Sequence, residues 1–174
     1  MKILQIPEFR QTYGYDCGAK AAQSILAYYG IDIREDKIIK LAGTNKNGTS
    51  IEGIVKVLKM NKLKCDVSEM NIDDIKKYLD KKIPVIILLQ AWTLKKKVDW
   101  KENWEDGHYV VAIGYDSKKI YFDDPSSVLR TYLTHKELLD RWHDVIKGKK
   151  YFNCGIAVYG KRPMYSYIKV KHMG

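Results

Sequence analysis

The chain has 174 residues, a mass of 20.2 kDa and 45% hydrophobic residues, the size of one domain with a substantial core. Its net charge of +10, from 31 Lys and Arg against 21 Asp and Glu, is spread in small clusters at 95–97, 147–150 and 169–172 with no nucleic-acid motif around them, so we expect a solvated surface and no nucleic-acid partner. No run approaches the roughly 18 apolar residues of a membrane span, the N-terminal MKILQIPEFR lacks the apolar core and cleavage site of a signal peptide, and the three cysteines form neither a CxxC pair nor an even set; the expectation is a soluble, cytoplasmic protein without membrane span, disulfide, metal or cofactor.

Taken in chain order, residues 17–29 place Ala21, Ala22, Ile25, Tyr28 and Tyr29 at helical spacing, with Gly30 as the stop. A short helix is expected over Glu35 to Ala42, and GTNKNG at 43–48 is a loop without phosphate-loop spacing. The next helix is predicted to start with Thr49 as N-cap and Glu52 three residues on, a capping-box pattern. Another begins near Asn71 and ends before Pro84, and Thr134 with Glu137 repeats the capping box ahead of LLDRWHDVI. Short runs rich in Val, Ile and Tyr read as strands: LKCDVSEM, PVIILLQ, HYVVAIGY, KIYFD and NCGIAVYG. Helices gathered in the first half and strands in the second argue for an α+β domain over residues 1–160, helices packed on an antiparallel sheet, with 161–174 as a basic extension.

The helix predicted at 17 opens with a thiol. A cysteine in the first helical turn faces unpaired backbone N–H groups and the positive end of the helix dipole, which favour a thiolate. Gly18 behind it leaves the backbone open to a ligand, and Gln11, six residues earlier, could place a side-chain amide beside a reacting carbonyl oxygen. Cys65 and Cys154 sit in strands and read as packing residues.

A thiol nucleophile needs a base, and the base an orienting group. His108 opens an apolar strand, whereas His135, His143 and His172 fall in the expected late helix or the tail. A hairpin turning near Asp116 and Ser117 brings His108 across from the region of Asp124 and Pro125, and since opposite positions lie about 5 Å apart at Cβ, a register one or two residues off leaves Asp123 or Asp124 within reach. Adjacent strand residues face opposite ways, so one aspartate meets the imidazole and the other faces solvent or caps the turn at Pro125. The loop between Gln90 and Gly107 carries Trp92, Trp100 and Trp104, which either line a cleft or clamp the loop to the body.

As a set these stretches resemble the papain-like cysteine peptidases that process bacteriocin leaders after a double glycine, and most of all their stand-alone relatives. The matching elements are Gln11, DCG at 16–18, GHYVVAIGYD at 107–116 and DDP at 123–125, in order over roughly residues 5–160. The resemblance implies a papain-like fold, a Cys17–His108 pair, the pre-proline Asp124 rather than Asp123 as the orienting group, and Gln11 in the oxyanion hole. It further implies a peptide or protein substrate cleaved through a Cys17 thioester. The chain carries neither the membrane-spanning nor the ATP-hydrolysing region often fused to leader-processing members. The rival readings are an acyltransferase using the same residues and a peptide-binding module without turnover.

Overall fold

A six-stranded antiparallel sheet in the order β1-β8-β2-β3-β4-β5 carries the molecule, and helices cover both of its faces. The structure is a computed structural model and describes residues 3–174; Met1 and Lys2, at the head of the stretch read above as lacking a signal peptide, lie outside them. The elements are α1 (Cys17–Tyr28), α2 (Glu35–Ala42), α3 (Ile51–Met60), β1 (Lys64–Glu69), α4 (Ile72–Asp80), β2 (Val85–Gln90), β3 (Gly107–Tyr115), β4 (Lys119–Asp123), β5 (Thr131–Thr134), α5 (His135–Arg141), β6 (His143–Ile146), β7 (Lys149–Phe152) and β8 (Cys154–Tyr159). The α+β reading therefore holds. No helix among the described residues is long and apolar enough to cross a membrane.

Strand β2 is central, between β8 and β3, and all six of its residues are buried. Side chains alternate across a strand. Ile86 and Leu88 accordingly face α1, α2 and α3, packing with Ile25, Leu26, Ile38, Ile54 and Leu58. Val85, Ile87 and Leu89 face α4 and α5, packing with Ile75, Leu79, Leu138 and Trp142. Such a sandwich explains why PVIILLQ reads as an unbroken apolar run rather than an alternating one.

Local capping chemistry sets most helix starts. Thr134 forms the expected capping box with Glu137, and Asn71, expected only as a helix start, forms one with Asp74. The start of α3 departs from expectation by one residue: the N-cap is Ser50, whose hydroxyl accepts from Gly53 N at 3.1 Å, while Thr49 is buried and bonded to the Thr44 hydroxyl at 2.8 Å.

The late helix is also shorter than predicted. It ends at Arg141 because Trp142 turns into the core beneath the sheet and donates its indole N–H to Cys154 O at 2.9 Å. His143 consequently lies on strand β6 and not in a helix; it is buried, its ring 4.4 Å from that of Trp104 and its Nε2 2.8 Å from Asn103 O. The hairpin of β6 and β7 and the short β5 carried too little alternation to be read in advance.

Candidate active site

Helix α1 starts at Cys17 without a side-chain cap. The N-cap position is held by Asp16, yet its carboxylate turns back to accept from Thr12 N and Tyr13 N, each at 3.1 Å. The first-turn N–H groups beside the thiol are thus left uncapped while the 11–16 loop is fixed. Burial raises the pKa of Asp16, and the adjoining Glu35 carboxylate pushes it the same way. Gly18 serves packing: a Cβ there would lie 2.8 Å from Thr49 Cβ and 3.0 Å from the Tyr109 ring.

His108 lies on β3, opposite Leu89 of β2. Across the hairpin Val111 pairs with Asp123, so by alternation Asp124 falls on the face of Val110 and His108. There His108 Nε2 stands 2.8 Å from Asp124 Oδ1. That bond leaves Nδ1 free, and the Cys17 thiol lies near enough to the ring to raise its pKa. Burial opposes charging the imidazole, but the bond to Asp124 and the nearby Cys17 outweigh it and lift its pKa to about 9.

Asp124 is held on every side. Oδ1 also accepts from Ser126 N at 2.9 Å, and Oδ2 accepts from Trp92 Nε1 at 3.0 Å and Thr131 Oγ1 at 3.3 Å. Burial alone would raise its pKa; the donors, His108 first, bring it below the usual carboxylate value.

Asp123 corrects an expectation. It neither faces solvent nor caps the turn but is buried on the α1 side, 3% exposed. Its Oδ2 and the neighbouring Ser24 hydroxyl form no hydrogen bond of good geometry. Burial, with Glu8 and Asp124 adding to it, pushes its pKa up to about 7. The reason is the register: an odd-face position on β4 points into the core whatever its polarity.

Gln11 is tied to the same turn. Its backbone N–H donates to Pro125 O at 2.9 Å, its Oε1 accepts from Ser126 Oγ at 3.0 Å, and its Nε2 donates to Tyr13 O at 2.8 Å. One of its two amide hydrogens remains for another acceptor.

A cleft of about 490 Å³ opens at Cys17, between the 43–50 loop and β6, with Leu88, Gly107, Tyr109 and Asp144 in its wall. None of the loop tryptophans lines it. Trp92 bonds Asp124, Trp100 stacks under the Arg141 guanidinium at 3.9 Å, and Trp104 packs on His143 and Phe152, so they clamp the 91–106 loop to the body.

Several residues of the site were not singled out from the sequence. Gln90 is fully buried; its Nε2 donates to His143 O at 3.0 Å and Asp144 Oδ1 at 2.8 Å, and its Oε1 accepts from Asp106 N at 2.8 Å. This joins β6 to the turn that leads into His108. A lone amide closing an apolar strand was its available signal. Asp144, whose pKa burial raises, stands against Gly107 so closely that a Cβ there would collide with its carboxylate. Among the described residues no group of three or more His, Cys, Asp or Glu is placed to hold a metal ion.

A thiol at a helix start, facing a histidine and an aspartate supplied by an antiparallel sheet, defines the papain-like cysteine peptidase class. The chain belongs to the peptidase C39 family, whose sequence profile matches residues 5–147. Its fold is similar to that of a putative C39-like peptidase from Bacillus anthracis, with a TM-score of 0.70 at 16% identity over 94% of this chain and 100% of that one. It is similar also to the peptidase domain of Streptococcus ComA, a bi-functional ABC transporter, with a TM-score of 0.68 at 21% identity over 91% of this chain and 99% of that domain. An uncharacterized protein of Methanothermobacter marburgensis is 23% identical over 117 residues, 67% of this chain and 70% of its own length.

Proposed function

We propose that this chain hydrolyses a peptide bond through a Cys17 thioester, with His108 as base and acid, Asp124 as its orienting group and Gln11 as an oxyanion donor. The observation that carries the reading is the arrangement at His108: Asp124 occupies Nε2 at 2.8 Å, and the Cys17 thiol stands near enough to the same ring to raise its pKa. A ring held this way keeps one tautomer and rotamer throughout a turnover.

On this reading the Cys17 sulfur, its proton passed to His108, attacks the substrate carbonyl carbon. The oxygen that becomes negative is received by the uncapped N–H of the α1 start and the free amide hydrogen of Gln11. The imidazolium then gives its proton to the departing amine, the C–N bond breaks, and a thioester remains. Water, deprotonated by His108, adds to the thioester carbonyl; the C–S bond breaks, the acid leaves, and the proton returns to the Cys17–His108 pair. Both peptide termini are then accounted for.

Family membership and the C39 fold support a peptide substrate. The catalytic unit is read as residues 1–160, with 161–174 an extension. Three free thiols and no disulfide among the described residues fit a cytoplasmic location. The test is a peptide-library cleavage profile of the native protein beside Cys17→Ala, with added amine to report acyl transfer. Cleavage by the native protein that is lost in Cys17→Ala supports the proposal; equal profiles overturn it.

A further inference from the structure

On the sheet face opposite the Cys17 cleft, a second cavity of about 310 Å³ lies under the 91–106 loop. Leu89, Val110 and Phe122 form its floor and Trp92, Trp100 and Leu133 its sides. Arg141, the last residue of α5, closes it.

Arg141 is the unexpected part of this wall. Its guanidinium lies 3.9 Å from the Trp100 ring, and its Nε is buried without a hydrogen-bond partner. The two acids nearest in charge are committed elsewhere. Glu137 accepts from Thr134 N and Oγ at 2.8 and 2.7 Å, and Asp140 pairs with Lys101 at 3.6 Å. Burial works against the Arg141 charge, and those acids offset only part of it. A half-buried cation with a planar fork of donors, no salt-bridge partner and apolar walls suits a carboxylate on an apolar body.

We propose that this cavity binds a small carboxylic acid with an aromatic or branched apolar body, its carboxylate on Arg141 and its body between Trp92, Trp100 and Phe122. The volume sits at the small end of ligand-sized cavities, roughly 300–1,000 Å³, and admits one ring with a short chain rather than a folded segment. Asp124 reaches the same wall, but His108, Ser126, Trp92 and Thr131 already occupy its oxygens, so it does not neutralise Arg141. An occupant would touch Trp92 and Thr131, the two side chains that hold Asp124 from outside.

The experiment is a titration of the full native chain with 3-phenylpropionate, followed by the indole N–H resonances of its four tryptophans. The uncharged 3-phenylpropanamide is titrated beside it. Expected are shifts at Trp92 and Trp100, at least tenfold tighter binding of the acid than of the amide, and loss of that preference in Arg141→Gln with partial retention in Arg141→Lys. Equal affinity for acid and amide overturns the proposal without recourse to any variant. So does an acid preference that survives in a folded Arg141→Gln protein, or an absence of binding up to about 10 mM, weaker than the millimolar range expected of so small a ligand. The titration reads binding and not turnover, so its outcome is independent of the reaction assigned to Cys17.

Discussion

The indole N–H of Trp92 donates to Asp124 Oδ2 at 3.0 Å, 32 residues away in the chain, while the other oxygen of the same carboxylate holds His108 at 2.8 Å. Trp92 is thereby coupled to the imidazole through one carboxylate. Trp92→Phe keeps the ring and removes the donor, which should lower kcat about 3- to 10-fold with KM little changed. With one donor fewer the Asp124 charge acts more strongly on His108, so the His108 pKa should move further up from about 9. Because that pKa is raised from 6.5, the stability it contributes is complete below 6.5 and is lost as pH rises through about 9. Thermal melts across pH 6 to 10 should show the loss at higher pH in Trp92→Phe; coincident curves would detach Trp92 from the histidine.

The two neighbouring aspartates should behave oppositely. Asp124→Asn should abolish most turnover, whereas Asp123→Asn should leave kcat within a few-fold. Asp123 has a folded pKa raised from 3.8 to about 7, so its contribution to stability is complete below 3.8 and is lost as pH rises through 7. Asp123→Asn removes the titrating charge. The gain in Tm over the parent should therefore be absent near pH 4 and reach several degrees by pH 8, as calorimetry would record.

Iodoacetamide should separate the three thiols. Burial pushes Cys65 and Cys154 to about 11, leaving little thiolate at neutral pH. Cys17 is the thiol beside His108 and open to the cleft. Mass mapping of a short reaction at pH 7 should find label on Cys17 first, and His108→Ala should slow it at least 10-fold. Uniform slow labelling would remove Cys17 from the mechanism.

Gln11 has two separable roles. Its Oε1 holds Ser126, and its amide hydrogens serve Tyr13 and, on the proposed mechanism, the oxyanion. Gln11→Glu keeps the acceptor and loses the donors. The expected result is a kcat lower by about 100-fold with Tm within a degree or two, on the scale of one lost oxyanion donor. A normal rate of single-turnover acylation by the folded variant would assign Gln11 to loop bracing alone.

Gly107 carries the approach of β6 to the strand that bears His108. Gly107→Ala forces the Asp144 carboxylate from its bond with Gln90, at a cost of about 1–3 kcal/mol. Adding Asp144→Ala should restore part of the loss, and denaturant unfolding of the four members of this cycle would measure it. Independent, additive losses would mean that the two residues do not press on one another.

Much of this was legible in the chain because its signals are local. A cap acts over three residues and a strand's alternation over a few more, so the starts of α4 and α5, the run of β2 and the β3–β4 hairpin follow from neighbours in sequence. The hairpin was enough to set His108 across from Asp123 and Asp124. The α3 cap slipped by one residue because Thr49 and Ser50 offer equivalent hydroxyls and burial chose between them. Asp124 alone reaches the ring because β3 and β4 pair Val111 with Asp123, a register that only the assembled sheet enforces.

Tertiary structure decided the remainder, and in each case a long-range burial overrode a local preference. Helix α5 stops where the Trp142 side chain finds the core under β2, which turns His143 and Asp144 from helical positions into a strand beside the cleft. Trp92 meets Asp124, and Arg141 meets Trp100, only after a 16-residue loop has folded back over the sheet. No periodicity encodes such contacts. The amino-acid sequence by itself determined the thiol at a helix start and the strand bearing its histidine; packing decided which acid holds that histidine, what holds the acid, and where a cation was left without a partner.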